Sequence, residues 1–117
     1  TAIVLEHAGE LTVARKLGET RTAPEYRLYA LPGTTPPKPG LVRVGPGGAA
    51  IVVEVWNLPL HHVGAFLKQV ASPLGIGSVA LEDGTLVHGF VCEPWAVADA
   101  RDVSEYGGWR RYVQSLG

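Results

Sequence analysis

The stretch IGSVALEDGTLVHGFVC, residues 76–92, decides the predicted architecture. Two apolar runs, residues 76–81 and 85–92, flank the segment Glu82-Asp83-Gly84. An Asp-Gly pair suits a tight turn between strands, because glycine adopts positive φ without steric cost. We therefore predict a β-hairpin here and, with it, a largely antiparallel sheet.

Strand patterns also precede the hairpin. In the first, Tyr26, Leu28 and Ala30 would share one face, because strand side chains alternate between faces. The strongest contains Glu54 between apolar neighbours and follows the glycine-rich turn GPGG. The predicted strands are residues 25–31, 41–44 and 49–58.

Helical spacing of apolar residues appears after the strongest strand and again at the end of the chain. Residues 6–16 could also be helical. Together these elements predict an α+β fold: a small, largely antiparallel β-barrel flanked by two or three helices. The two apolar stripes are Leu60, Val63, Leu67 and Val70, and Trp109, Tyr112, Val113 and Leu116.

Length and charge limit the function classes. A chain of 117 residues predicts a single domain, residues 1–117. The net charge of -1 offers no broad attraction for nucleic acid or an anionic membrane, so a small-molecule or protein partner is favoured. The single cysteine, Cys92, excludes an internal disulfide, and no apolar run reaches the ~20 residues of a membrane span. We expect a cytoplasmic protein without metal or cofactor.

Four motifs carry a family resemblance. They are TAPEYRLYALPGTTPPKPGLVRV, VEVWNLP, PLGIGSVALEDGTLVHGFVCEP and YGGWRRYV, in that order. With them the chain resembles, over about residues 20–113, the C-terminal domain of allophanate hydrolase, which has the γ-glutamylcyclotransferase-like fold. The resemblance implies a small β-barrel flanked by helices.

The resemblance also implies a substrate. In whole allophanate hydrolases this domain follows an amidase domain and is thought to remove a carboxyl group from the amidase product, N-carboxycarbamate. No amidase nucleophile segment is present here, so an amidase domain or subunit is an expected partner. The chain is either an excised domain or a free-standing relative, and a homodimer is also considered.

His7 has two interpretations. The family's opening is a strand, a glycine-containing loop with a histidine thought to be catalytic, and a helix. His7 is then the catalytic counterpart, or the loop is absent and His7 belongs to the helix. The segment after His7 looks shorter than the family pattern.

A small dianion needs a fixed cation and backbone N–H donors in a cleft where water is limited. Lys38, on the proline-stiffened segment TTPPKPGL, can supply the cation, with Pro39 and Gly40 beside it. The alternative is a solvated lysine in a rigid connection between strands.

Further candidates line the same hypothetical pocket. Gly75, Ile76 and Gly77 could present backbone amides to a ligand, although such a segment is also an ordinary strand entry. Glu54 could be an interior carboxylate beside the ligand, or the structural partner of an arginine.

The remaining reactive residues predict structure instead. His88 suggests a strand position near the core, Cys92 a small buried side chain, and Trp95 a packing anchor. Arg101, Arg110 and Arg111 form a modest basic cluster that nearby acidic residues offset.

Two function classes follow. One is an enzyme domain that decarboxylates a small carbamate-type acid, with His7 or a lost equivalent as the acid–base group and Lys38 as the anion clamp. The other is a non-catalytic module that binds a small acid or assembles subunits. γ-Glutamylcyclotransferase activity is not expected, because the segment KQVASPLG lacks that enzyme's glutamate base.

Overall fold

The computed structural model describes residues 6–7, 15–33 and 37–117. Over these ranges the chain is a small α+β domain with short, mostly antiparallel sheets and two α-helices. The elements are β1 (Glu6–His7), β2 (Arg15–Arg21), β3 (Tyr26–Leu31), β4 (Lys38–Arg43), β5 (Val52–Leu58), α1 (Val63–Lys68), β6 (Leu74–Ala80), β7 (Leu86–Cys92), β8 (Arg101–Asp102) and α2 (Trp109–Ser115).

The strands form three sheets, with orders β1-β5-β2, β4-β3-β8 and β6-β7. The β1–β5 pair is parallel and the other ladders are antiparallel. The predicted hairpin is confirmed: Ile76 lies opposite Phe90, and Gly84 turns the chain at φ 89°. Gly84 donates its N–H to the Leu81 carbonyl at 3.0 Å, which closes the turn.

Isolated bridges join the sheets. Thr22 pairs with Leu81, and Tyr26 pairs with Ala49. The Thr22 hydroxyl accepts the Ile51 N–H at 3.0 Å, so this buried polar group is satisfied. Within the described ranges the hydrogen-bonded ladders do not close into a barrel.

The core confirms the strand periodicity. Tyr26, Leu28 and Ala30 are all buried, as their shared face predicts. The Tyr26 hydroxyl accepts the Ala80 N–H at 2.9 Å, and the Ser104 hydroxyl accepts that of Leu28 at 2.8 Å. The main core cluster comprises Tyr26, Leu28, Ala30, Leu41, Ile51, Val53, Val79, Ala80, Leu81, Val103 and Tyr112.

The glycine-rich turn between β4 and β5 is held close to β3. Gly48 lies directly over the backbone at the start of that strand. A Cβ built on Gly48 would come within 2.4 Å of the Glu25 carbonyl carbon. Only glycine fits this approach.

The helix predicted for residues 6–16 is wrong at both of its ends. Glu6–His7 is a strand, and Arg15 and Lys16 begin β2. Both segments pair with β5, whose backbone groups override the local helical tendency. The interpretation that places His7 in a helix is therefore wrong, while residues 8–14 and the apolar run at 2–5 lie outside the described residues.

The two α-helices are shorter than their sequence patterns. Residues 60–62 form a 3-10 turn before α1, which shifts the helical phase. Phe66 packs against Phe90 with ring centroids 5.7 Å apart, while Leu67 of the predicted stripe is 43% exposed. In α2, Tyr112 is buried but Val113 is exposed. Neither helix has the length and apolar character that crossing a lipid bilayer would require.

Two side chains expected near the core lie at the surface. His88 is exposed on β7, because that strand turns its alternate side chains to solvent at this point. Trp95 is 65% exposed, and its indole N–H donates to the Glu93 carboxylate instead of packing. Cys92 is buried, as expected.

Candidate functional site

Lys38 lies at the start of β4, opposite Leu31 of β3. The predicted stiff loop is therefore shorter than expected, since Lys38, Pro39 and Gly40 already belong to a strand. The Lys38 side chain is exposed and borders three adjoining clefts. Among the described residues, no carboxylate lies within ion-pair distance of its ammonium.

One of these spaces, here named the Lys38 cleft, is lined in part by core side chains. Its volume is about 190 Å³. Lys38 is the one charged residue among its described lining, and the other side chains are apolar. An ammonium beside apolar walls attracts a carboxylate more strongly than it would in open water. The described lining is Leu28, Lys38, Pro39, Leu41, Ile51, Val52, Val53, Leu74, Phe90 and Trp109.

Two further spaces share Lys38 and Leu74 with the Lys38 cleft. One, of about 310 Å³, extends past Ser72 to the exposed ring of Trp95. The other, of about 290 Å³, runs along α1 past Phe66 and Gln69. Lys38 therefore lines three neighbouring spaces.

Pro39 lines the Lys38 cleft, but Gly40 has a packing role. Gly40 is buried, and a Cβ at this position would lie 3.0 Å from Leu31 Cδ2 and 3.2 Å from Cys92 Sγ. Its lack of a side chain is explained by that close approach. Whether Gly40 also binds a ligand stays a prediction.

In the segment PLGIG, residues 73–77, a residue other than the expected Gly75, Ile76 and Gly77 lines the clefts. Leu74 lines all three clefts around Lys38. Gly75, Ile76 and Gly77 follow it in β6, and a Cβ on Gly77 would meet Val91 at 3.0 Å. Ligand contacts by Gly75, Ile76 and Gly77 remain predictions.

Glu54 is buried on β5 and its carboxylate is fully engaged. The Arg110 guanidinium donates to Oε2 through Nη2 at 2.6 Å and Nε at 2.9 Å. Lys16 Nζ also reaches Oε2 at 3.3 Å, and the Trp56 indole donates to Oε1 at 3.2 Å. Of the two sequence interpretations, the arginine-paired carboxylate describes this geometry.

These contacts determine the ionisation of Glu54. Burial would raise the pKa of the carboxyl group, but the hydrogen bonds from Trp56, Arg110 and Lys16, with the Arg110 charge, outweigh burial. The net effect is a pKa below the usual value. Glu54 is therefore an anion at neutral pH.

Glu54 and Lys38 do not line the same space. Glu54 borders a second cavity of about 200 Å³, here named the Glu54 cavity, together with Glu19, Arg110 and Arg111. Val52 and Trp109 line both the Glu54 cavity and the Lys38 cleft. These two residues form a shared wall.

The backbone of His7 pairs with Leu58 at the end of β5. Val53 lines the Lys38 cleft. Leu58 lies five residues further along β5, which is about 16 Å at ~3.3 Å per residue. Helix α1 begins five residues after Leu58 and borders one of the clefts around Lys38. The His7 side chain lies outside the described structure, and its catalytic role stays a prediction.

Other reactive groups add little to the site. Burial, followed by the Glu93 charge, raises the pKa of the Cys92 thiol, so it stays protonated at neutral pH. The described residues include no group of three or more histidine, cysteine, aspartate or glutamate side chains suited to a metal ion.

Sequence reasoning missed the residues that shape the cleft wall. The sequence pattern places Trp109 in an apolar packing stripe. It places Arg110 in a basic cluster that nearby acidic residues offset. Arg110 in fact pairs with Glu54, while Asp102 lies 3.7 Å from Arg27. The buried glutamate in an apolar strand was the available signal, because such a carboxylate needs a cationic partner.

The fold and the cleft define a small α+β domain in which a lysine lines an otherwise apolar cleft. The family model for the allophanate hydrolase C-terminal domain matches residues 4–114. The chain belongs to this family.

Similar proteins are longer. The urea amidolyase of Lachancea kluyveri is 44% identical over 107 residues, which cover 88% of this chain and 6% of the amidolyase. The solved structure of Kluyveromyces lactis allophanate hydrolase is 37% identical with a TM-score of 0.86, covering 99% of this chain and 21% of the hydrolase. This chain thus spans a small part of each of these two proteins.

One solved structure is closer to this chain in size. It is a protein described as specific to uropathogenic E. coli, 36% identical with a TM-score of 0.78. The match covers 86% of this chain and 77% of that one.

Proposed function

We propose that this domain binds N-carboxycarbamate, or a closely similar small carbamate-type acid, in the Lys38 cleft and promotes its decarboxylation. The observation that carries the proposal is the exposed Lys38 in the lining of a small apolar cleft, with no carboxylate among the described residues within ion-pair distance of its ammonium. The relation to urea amidolyase and allophanate hydrolase supports a place in urea nitrogen metabolism.

The cleft chemistry suits the loss of carbon dioxide. Lys38 would hold one carboxylate of the dianion, and the second would face apolar side chains. An apolar wall solvates a carboxylate poorly and neutral CO2 well, so charge loss at that end is favoured. The C–N bond breaks, its electron pair stays on nitrogen, and the nitrogen takes a proton.

We propose His7 as the group that supplies this proton. Histidine is the side chain whose unperturbed charge change lies nearest to neutral pH, which suits an acid–base role. The reaction in this form needs no cofactor. Glu54 is assigned no direct contact with the substrate, because its carboxylate is already held by Arg110, Lys16 and Trp56.

The wider assignments are proposals as well. We propose that residues 1–117 form one domain, that the joined sheets correspond to the barrel of the γ-glutamylcyclotransferase-like fold, and that an amidase domain or subunit is the partner. The cytoplasm and a homodimer remain expectations. γ-Glutamylcyclotransferase activity is not expected, and release of 5-oxoproline from a γ-glutamyl dipeptide would contradict this.

A coupled assay tests the catalytic proposal. The protein is mixed with a separately prepared amidase domain and allophanate, and release of CO2 and ammonia is followed against a blank without the protein. We expect acceleration that falls about tenfold or more in Lys38→Met, which loses a charge-assisted contact. Lys68→Met, an exposed lysine on α1, is the matched control.

A second pair of variants tests the proton donor. His7→Asn should abolish the acceleration, while His61→Asn, at an exposed position, should not. Full activity of His7→Asn would remove His7 from the mechanism.

The second candidate function is a non-catalytic module that binds a small acid or assembles subunits. The match that covers 77% of a solved chain supports it, because a domain of this kind makes up most of that chain, as in a self-contained module. Measurable binding of malonate without any acceleration over the blank would select this function.

A further inference from the structure

The Lys38 cleft and the Glu54 cavity are separated by the wall of Val52 and Trp109. Val52 belongs to β5, in the centre of its sheet, whereas Trp109 is the first residue of α2. The shape of the Lys38 cleft therefore depends on how α2 is attached to β5.

The backbone supplies one attachment. Val52 donates its N–H to the Gly107 carbonyl at 2.7 Å, and Val52 forms a parallel bridge with Gly108. A Cβ on Gly108 would lie 3.1 Å from the Val52 Cβ, so the two chains touch. This contact fixes the residues before the helix, and the buried Tyr112 packs the helix against the main core. A second attachment to β5 itself comes from a side chain of the helix.

Arg110 supplies that second attachment. It follows Trp109 on α2 and places two N–H groups on Glu54 Oε2, at 2.6 and 2.9 Å. The Glu54 side chain is 10% exposed, although that of Arg110 is 71% exposed. A guanidinium that donates two hydrogen bonds to a buried carboxylate is held in a defined direction, unlike an ordinary surface ion pair.

The remaining charges around Glu54 do not reach α2 in this way. Lys16 on β2 approaches the same Oε2 at 3.3 Å, and Glu19 on β2 lies opposite Glu54 in the ladder. Arg111 borders the Glu54 cavity, but no described carboxylate lies within ion-pair distance of it. Arg110 is thus the described cation that joins Glu54 to the helix carrying Trp109.

We propose that Arg110 is a positioning residue: its ion pair with Glu54 fixes α2 on β5 and thereby holds the Trp109 indole as a wall of the Lys38 cleft. Arg110 acts on the small acid through Trp109 and does not touch it. This inference rests on the proposed function for its ligand, but the position of Trp109 can be measured without one.

The test compares Arg110→Leu with two controls. Arg111→Leu removes the neighbouring guanidinium of the same helix, and Lys16→Met removes another partner of the same carboxylate oxygen without touching α2. The first readout is the indole N–H signal of Trp109 in a ¹H–¹⁵N spectrum, assigned with Trp109→Phe. The second readout is the affinity for malonate, measured by titration.

We expect Arg110→Leu to shift the Trp109 signal and to weaken malonate binding about fivefold or more, the range of a moderate coupling between sites. Both controls should leave the Trp109 signal and the malonate affinity near wild type. Arg110→Lys, which keeps the charge but loses the planar pair of donors, should fall between wild type and Arg110→Leu.

A Trp109 signal that moves no more in Arg110→Leu than in Arg111→Leu would overturn the inference. If Arg110→Leu does not fold, Glu54→Gln takes its place, because it removes the charge at nearly constant shape. Failure of the wild-type protein to bind malonate would overturn the proposed ligand class, and the Trp109 signal would still decide whether Arg110 positions the wall.

Discussion

The Lys38 cleft and the Glu54 cavity share a wall and are similar in size, at about 190 and 200 Å³. They differ in whether the charged residue has partners among the described side chains. In the Glu54 cavity a buried carboxylate is surrounded by three donor side chains. In the Lys38 cleft the one charged residue of the described lining is an exposed lysine among apolar residues. A charge whose partners come from the chain itself stabilises structure, whereas a charge without such a partner can bind a ligand.

The largest expected effect on stability comes from breaking the pair in the Glu54 cavity. Arg110→Leu should lower the free energy of unfolding by about 1–3 kcal/mol, because it leaves a buried carboxylate with weaker donors. Urea denaturation at pH 7 measures this, and Arg111→Leu should stay within about 0.5 kcal/mol of wild type. Equal losses of unfolding free energy in Arg110→Leu and Arg111→Leu would show that the ion pair with Glu54 does not add to stability.

The next effect is a dependence on pH. The folded pKa of Glu54 lies below its usual value of 4.5, so its stabilising contribution is complete above about that pH and is lost as pH falls through the folded pKa. Wild type should therefore exceed Glu54→Gln in stability at pH 7 by about 1–2 kcal/mol. The difference should shrink below pH 4.5. Denaturation curves from pH 7 to 3 would contradict this if the difference stayed constant.

A smaller effect is expected for Lys16, the more distant of the two cations that contact the Glu54 carboxylate. Its side chain is 36% exposed, and its contact with Glu54 is 3.3 Å long. Lys16→Met should cost about 0.2–1 kcal/mol, as for other partly solvated pairs. If Lys16→Met lowered the free energy of unfolding as much as Arg110→Leu does, the contact of Glu54 with β2 would matter as much for stability as its contact with α2.

The sequence could predict those parts of the fold that depend on neighbours in the chain. The Asp83-Gly84 turn and the alternation from Tyr26 to Ala30 are local patterns, and both reappear in the structure. The helix expected at residues 6–16 is wrong at both ends, because Glu6–His7 and Arg15–Arg21 pair with β5. That pairing depends on residues distant in the sequence, which a local helical pattern does not reveal.

The candidate site shows the same limit. Lys38 could be proposed from its proline-rich surroundings, and it does border a cleft. The pairing of Glu54 with Arg110 spans 56 positions in the sequence, and no spacing rule selects Arg110 over its neighbour Arg111. Likewise Trp109 belongs to a predicted packing stripe, and only the fold places it in the lining of the Lys38 cleft.

The most direct test of the ligand-binding role of Lys38 is calorimetric titration of malonate into wild type, Lys38→Met and Lys68→Met, with melting temperatures recorded for all three. We predict that Lys38→Met binds at least about tenfold more weakly than wild type, with an unchanged melting temperature, and that Lys68→Met behaves as wild type. Equal malonate affinity in Lys38→Met and wild type would contradict the account.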